Sequence, residues 1–398
     1  MKYRPIYGII ALGLCAASVN TWARIKLITL PVREHIEIQL ENEFTSIIEE
    51  ERIVPLKQGL NSIDFSWHNS SIKPETIVFR VLSDEKLQAN VLSVSFPPDE
   101  SALTWQVSAS ATGSARVRIS YAINRLDKQY HYLAQVSADE STMDLFQYLR
   151  VNNQSGEEFL DADINTGGKK NIKLPIGINE TQEFLNHQFS GVPVDKTYTV
   201  NAAQLGYRNR SQDKLNVLMH YQIHNDSKHK LGTTPLSAGK YRIYQQDSKN
   251  SAVFIGEDWG QYTARDDKQK LFIGKAQDVV VKRIIERKKR QQRNGNLYNY
   301  DVLVNYKIEN FKDTPVTLTI EESLAYLRNE VLAGRGISSG QQLIEWQIGD
   351  ETSFKNKPVK EETSAQKLTY QVKLPARGRG HEPVRLERQL NIHFKNIW

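Results

Sequence analysis

The stretch VKRIIERKKRQQRNGNLYNYDVLVNYKI, residues Val281–Ile308, decides the fold class. On its far side Tyr300, Val302, Val304, Tyr306 and Ile308 alternate with Asp301, Leu303, Asn305 and Lys307, the period of a strand that buries one face and leaves the other wet. Asn294-Gly295 stands at the break between the two halves, and Asn followed by Gly tolerates the positive φ that a two-residue hairpin turn demands. The stretch therefore predicts a β-hairpin with that dipeptide at its tip. The implied register sets Arg293 opposite Asn296, Lys289 opposite Tyr300, Lys288 opposite Asp301 and Arg287 opposite Val302.

The same period runs outward from the hairpin in both directions. Upstream it recurs at Ile36, Ile38 and Leu40, at Val117, Ile119, Tyr121 and Ile123, and at Leu215, Val217, Met219, Tyr221 and Ile223. Downstream it returns at Val316, Leu318 and Ile320 and in the tail at Leu390, Ile392 and Phe394. Helical periodicity is nearly absent, and turn signals such as Lys73-Pro74 and Phe96-Pro97-Pro98-Asp99 separate the runs. Many short alternating strands in a chain of this length predict an all-β protein of tandem antiparallel β-sandwich domains. A serial division follows: 24–108 as an N-terminal sandwich, 109–205 as a middle β domain and 206–398 as a C-terminal sandwich, with small residues at Ala109–Gly113 marking the first border. Residues 165–199, rich in Gly, Asn, Pro and Lys, read as a long loop with one helical turn near Thr181–Gln188.

Residues 1–23 carry Lys2 and Arg4, an apolar run from Ile6 to Ala17, and Thr21 and Ala23 at the −3 and −1 positions before Arg24. That is the pattern of a cleaved secretory signal peptide, too short for a lasting membrane span. A lipoprotein reading centred on Cys15 meets Leu14 where the peptidase favours a small residue. Cleavage after Ala23 takes the only cysteine and lowers the formal charge from +6 to +4, since Lys2 and Arg4 leave with it. The expected mature chain is exported, periplasmic or associated with the outer surface, and has no thiol. It has no transmembrane helix, and export separates it from nucleic acid. Its expected partner is an envelope component or an envelope protein.

Between Lys214 and Ile320 the succession LNVLMHYQIHND, LSAGKYRIYQQD, FIGEDWGQYTARDD, KLFIGKAQDVV and VNYKIENFKDTPVTLTI resembles the bacterial family called domain of unknown function 4139, to which the C-terminal part of mucoidy inhibitor A proteins belongs. Upstream, SIIEEERIVPLKQGLNSIDF and VNNQSGEEFLDADINTG resemble its N-terminal and middle segments. The resemblance implies an exported all-β protein and carries no catalytic residues with it. This chain lacks the long heptad-patterned coiled coil of the longer members.

Arg287, Lys288, Lys289, Arg290 and Arg293, with Tyr298 and Tyr300 across the hairpin, form the candidate anion-binding surface, because cations beside aromatic rings suit phosphate, carboxylate or sugar-acid groups. His220 and His224 lie four residues apart on one strand, ~13 Å at ~3.3 Å per residue, so a shared metal is not expected and both read as solvent-facing, with His229 close behind. Glu257 and Asp258, with Asp266 and Asp267 beyond them, hold the carboxylates that an envelope polysaccharide- or peptidoglycan-processing hydrolase would need, yet Gly256 and the acids after it read more simply as a strand entering a turn. Glu49-Glu50-Glu51 reads as a solvated strand edge and Gly334–Gly340 as a turn. The expected function is therefore binding rather than catalysis, with no cofactor and no metal.

Overall fold

A computed structural model of the chain describes residues 27–40, 45–82, 87–166, 172–205, 214–247, 249, 251–332, 345–354, 358–359, 364, 366–378 and 382–397. Among these residues, twenty-five strands in five sheets stand against one α-helix, Leu324–Leu332, and three single 3-10 turns, so the fold is all-β. No described helix is long and apolar enough to cross a membrane. The proposed leader with Cys15, and the turn at Gly334–Gly340, lie outside the described residues.

The chain forms two compact units, one of residues 1–127 and 152–181, the other of residues 128–151 and 182–398. This division differs from the serial cuts after 108 and 205. The cluster at Ala109–Gly113 is where the chain passes from the Ala102–Ala109 strand of one sheet to the Gly113–Ile123 strand of another within the first unit. Gly113–Ile123 then pairs with Ser46–Leu56 along its whole length, which ties it back to the N-terminal strands.

In the first unit a four-stranded sheet takes the order Leu27–Thr29, Gly59–Ser66, Ala102–Ala109, Ala89–Ser95. A six-stranded sheet takes the order Ile172–Ile176, Phe159–Asn165, His35–Gln39, Ser46–Leu56, Gly113–Ile123, Val78–Val81. Aromatic rings join their inner faces: Phe79 meets Trp105 at 4.7 Å and Phe65 meets Tyr121 at 5.9 Å between centroids. The acidic run corrects the edge reading, because Ser46–Leu56 is flanked on both sides. Glu50 is fully buried and pairs with Arg33 Nε at 2.5 Å and Arg52 Nη2 at 2.8 Å, while Glu51 on the other face takes Arg118 at 2.6 Å and Arg116 at 3.0 Å. A buried charge this deep is tolerable only because cations meet it.

The second unit holds three five-stranded sheets. The first runs Thr181–Pro193, Thr142–Asn153, Leu126–Val136, Gly239–Gln246, Ala252–Gly260; the second runs Lys268–Lys275, Leu218–His224, Asp195–Asn201, Val316–Ser323, Lys367–Leu374. The third runs Lys214–Leu215, Val279–Asn294, Leu297–Asn310, Val384–Ile397, Glu345–Ile348. One core gathers Tyr132, Leu145, Tyr221, Tyr241 and Leu271, and Tyr132 stacks on Tyr241 at 4.0 Å. A larger core gathers Val302, Val304, Tyr306, Leu318, Tyr370 and Phe394 between the second and third sheets. The long loop expected over 165–199 is instead strand: Ile172–Ile176, Thr181–Pro193 and Asp195–Asn201 fill most of it, and no helical turn forms at 181–188. Thr181–Pro193 lies at a sheet edge with alternating half-exposed residues, so it needs few apolar side chains and looks like loop in composition.

The hairpin forms, with a changed register. Gly295 and Asn296 are the turn residues and Gly295 takes φ +55°, the Gly-first form of a two-residue turn. The turn lies one residue further on, which moves the pairing by two, and a bulge between Gln292 and Asn294 takes one back, so Arg290 faces Tyr300, Lys289 faces Asp301, Lys288 faces Val302 and Arg287 faces Leu303; a second bulge between Ile285 and Arg287 restores the expected register at Ile285 and Val304. Tyr300, Val302, Val304, Tyr306 and Ile308 all enter the core as the alternation requires. The opposite face is not wet throughout: Leu303 is 6% and Asn305 2% exposed, and Asn305 Nδ2 donates to Glu286 Oε1 at 2.6 Å. Val304→Ala should therefore cost ~1–3 kcal/mol, and Asn305→Ala about 1 kcal/mol rather than nothing, in chemical denaturation of the two variants.

Candidate functional site

The hairpin cations divide over both faces of the two-stranded ribbon. Arg287 is committed internally: Nε and Nη2 donate to Asp301 at 3.0 and 3.2 Å, and Nη1 and Nη2 donate to Glu351 at 2.9 and 2.6 Å. Those hydrogen bonds, Glu351 first, raise its pKa above the ordinary arginine value. Tyr300 is a core residue, 6% exposed, and offers no binding surface. Arg290 instead lies over the ring of Tyr298, 3.4 Å from its centroid, while Lys289 stands on the other face across from Asp301. Lys288, Lys289, Arg290 and Arg293 are exposed. The arm thus keeps one cation–aromatic pair, Arg290 with Tyr298, which the shifted register brings together in place of Lys289 with Tyr300.

A second basic feature lies at the base of the same strand. The Leu215–Ile223 alternation reads as one strand but is two: Lys214–Leu215 joins Val279–Asn294 in the third sheet, and Leu218–His224 joins the second sheet. Asn216 and Val217 cross between them, and Ala276 N donates to Val217 O at 2.8 Å. The crossover opens a cleft of about 610 Å³ lined by Lys214, Asn216, Lys275, Gln277 and Lys282 over an apolar floor of Leu215, Val217 and Val279. Lys214 and Lys282 are direct cross-strand partners, a like-charge pair that costs stability. Among the described residues the lining contains no carboxylate and none of the three lysines has an ion pair. Lys282 opens the basic run visible in the sequence; Lys214 and Lys275 sit singly at strand ends, and only the non-local pairing places them beside it.

The carboxylates considered for acid–base work do other things. Glu257 takes Lys240 Nζ at 2.7 Å, and that ammonium lies 6.0 Å over Trp259. Asp258 accepts from Phe272 N at 2.7 Å and Trp259 N at 2.9 Å, which fastens Ala252–Gly260 to Lys268–Lys275. Asp267 accepts from Lys268 N at 2.7 Å. Two carboxylates do converge, the buried Glu322 and the part-exposed Glu330, but the guanidinium of Arg283 fills the space between them. It donates to Glu322 at 2.8 and 3.0 Å and to Glu330 at 2.7 and 3.2 Å, and the Tyr306 hydroxyl donates to Glu322. Burial works against the charge on Arg283, yet Glu322, Tyr306 and Glu330 outweigh it and hold its pKa well above the ordinary value.

Elsewhere the displaced carboxyls move down. Partial burial pushes Glu140 up, but Lys196 at 2.6 Å and the Tyr221 hydroxyl at 2.5 Å outweigh it and leave its pKa lowered. Glu183 is likewise lowered, burial being overcome by Arg150 at 2.7 Å and His131 at 2.9 Å. A carboxyl lowered in the folded state contributes stability that is present above its unfolded value, ~4.3 for Glu, and is lost as pH falls through the folded value. Thermal stability should therefore begin to drop below about pH 4.5, as acid titration of the melting temperature will measure.

His220 packs edge-on against Phe272, ring centroids 5.7 Å apart, and its pKa is lowered by burial and then by Lys270. It is half-buried rather than solvent-facing. His224 lies beside His229, not beside His220. No protein-family model matches the chain, and no curated protein matches it.

Proposed function

We propose that this protein is an exported envelope binding protein that holds an anionic polymer or headgroup without transforming it. The lysine cleft carries this reading. Three lysines line one concavity with no carboxylate among its described lining residues, so an external anion offsets their mutual repulsion. The exposed tip cations Lys289, Arg290 and Arg293 extend the same sign of charge along the strand. The hydrolase reading needs two converging carboxyls with one raised by burial; the converging pair here encloses an arginine. The resemblance to the domain of unknown function 4139 family, and export through residues 1–23, belong to the same proposal.

Retention of the purified chain on immobilised polygalacturonate tests it. A Lys214→Gln, Lys275→Gln, Lys282→Gln variant should elute at clearly lower salt, and a Lys289→Gln, Arg290→Gln, Arg293→Gln variant should lose less. Unchanged retention of the cleft variant places the anion site elsewhere.

A further inference from the structure

The turn after Leu218–His224 is built by its own side chains. Buried Asn225 donates through Nδ2 to Thr234 O, Thr263 O and Ala264 O at 3.1, 3.2 and 3.0 Å, and its Oδ1 accepts from Gly232 N at 2.8 Å. Asp226 caps the Ser227–His229 3-10 turn by accepting from His229 N at 3.0 Å. Lys230 then takes φ +62° and Gly232 φ +80°, where an added Cβ would stand 2.7 Å from Asp226 Cα. The chain is thereby folded back so that His229 stacks on His224, ring centroids 4.6 Å apart and planes 21° apart. Strand spacing separates His220 from His224, whereas the turn brings His229 onto His224.

We infer that His224, Asp226 and His229, with Asp195 at their rim, form a binding site for a divalent transition-metal ion. One ligand atom from each of the three lies within 4.8 Å of the others. Donors on one zinc-like ion at ~2.0–2.1 Å stand roughly 3.4 Å apart, so rotations of half-exposed side chains close the remaining gap. His229 Nδ1 is 2.7 Å from Asp226 Oδ1. The two atoms face each other, so an ion that takes the place of the Nδ1 proton meets an imidazole nitrogen and a carboxylate oxygen together. His224 Nε2 lies 3.5 Å from Asp195 Oδ2 and 3.2 Å from Gln222 Nε2, so a second carboxylate stands where a further ligand is needed. Two imidazoles and carboxylates select zinc, nickel or copper over calcium or magnesium, which prefer oxygen alone. The exposed side leaves a coordination position to water.

Isothermal titration of the full chain with Zn2+ and Ni2+ at neutral pH tests the site, with Co2+ absorption as a second readout of nitrogen coordination. The expected result is one ion per chain, with affinity reduced at least about tenfold by His224→Gln and by His229→Gln and unchanged by His220→Gln. Circular dichroism checks that each variant is folded; should His229→Gln fail to fold, His224→Gln and Asp195→Asn carry the comparison. No bound ion, or an ion whose affinity ignores His224→Gln, overturns the assignment.

Discussion

Arg283→Met is expected to destabilise the protein by ~3–5 kcal/mol and to lower its melting temperature by roughly 10 °C or more. The Arg283 side chain is 2% exposed and that of Glu322 is 0%, so the variant leaves a carboxylate in the core with only the Tyr306 hydroxyl beside it. Glu330 loses its cation as well. A double variant, Arg283→Met with Glu322→Leu, removes both charges and should recover most of the loss, because an apolar pair of similar volume needs no solvation. Chemical denaturation of the two variants decides the matter. If the double variant is as unstable as the single, packing around Arg283 matters more than its charge.

Glu50→Ala in the first unit should have the next largest effect, about 3 kcal/mol, since it strips Arg33 and Arg52 of a buried partner. Arg33 retains Glu157 at 2.7 Å, which keeps the loss from being larger. The neighbouring Glu51→Ala should cost under about 1 kcal/mol, because its partners Arg116 and Arg118 are largely exposed. Equal small costs for both would show that the buried pairs of Glu50 contribute no more than the exposed pairs of Glu51.

The difference between these two glutamates shows where sequence reading stops. Alternation along Tyr300–Ile308 identifies the buried face correctly because that strand is central and its inner residues have no other place to go. Alternation says nothing of what covers the outer face, so Asn305 looks exposed until the neighbouring strands are placed, and an unbroken run of three acids hides that Glu50 shares the buried face of Ile48 and Val54. The Asn294-Gly295 signal locates the hairpin within a residue, but the turn falls on Gly295 and Asn296 and the bulge before Asn294 offsets only part of that displacement, which changes the cation–tyrosine pairs. A chain that switches sheets at Asn216 keeps its period while changing partners, which hides the break.

The candidate sites follow the same division. The basic run gives the tip and Lys282 directly. Lys214 and Lys275, single lysines at the ends of short strands, carry no local signal, and their place at one cleft depends on the distant pairings of Lys214 with Lys282 and of Leu218 with Lys275. His229 is hidden for a different reason: strand spacing governs His220 and His224, whereas a 3-10 turn sets the third histidine.

Melting the purified chain at low ionic strength with increasing polygalacturonate tests whether the lysine cleft, which has no carboxylate among its described lining residues, is an anion site. A ligand that binds only the folded state raises the melting temperature in proportion to its saturation. The wild-type chain should rise, while the Lys214→Gln, Lys275→Gln, Lys282→Gln variant should start level or slightly higher and stay flat, because it has lost both the repulsion and the site. A variant stabilised as much as the wild type, or one that unfolds without ligand, would contradict the account.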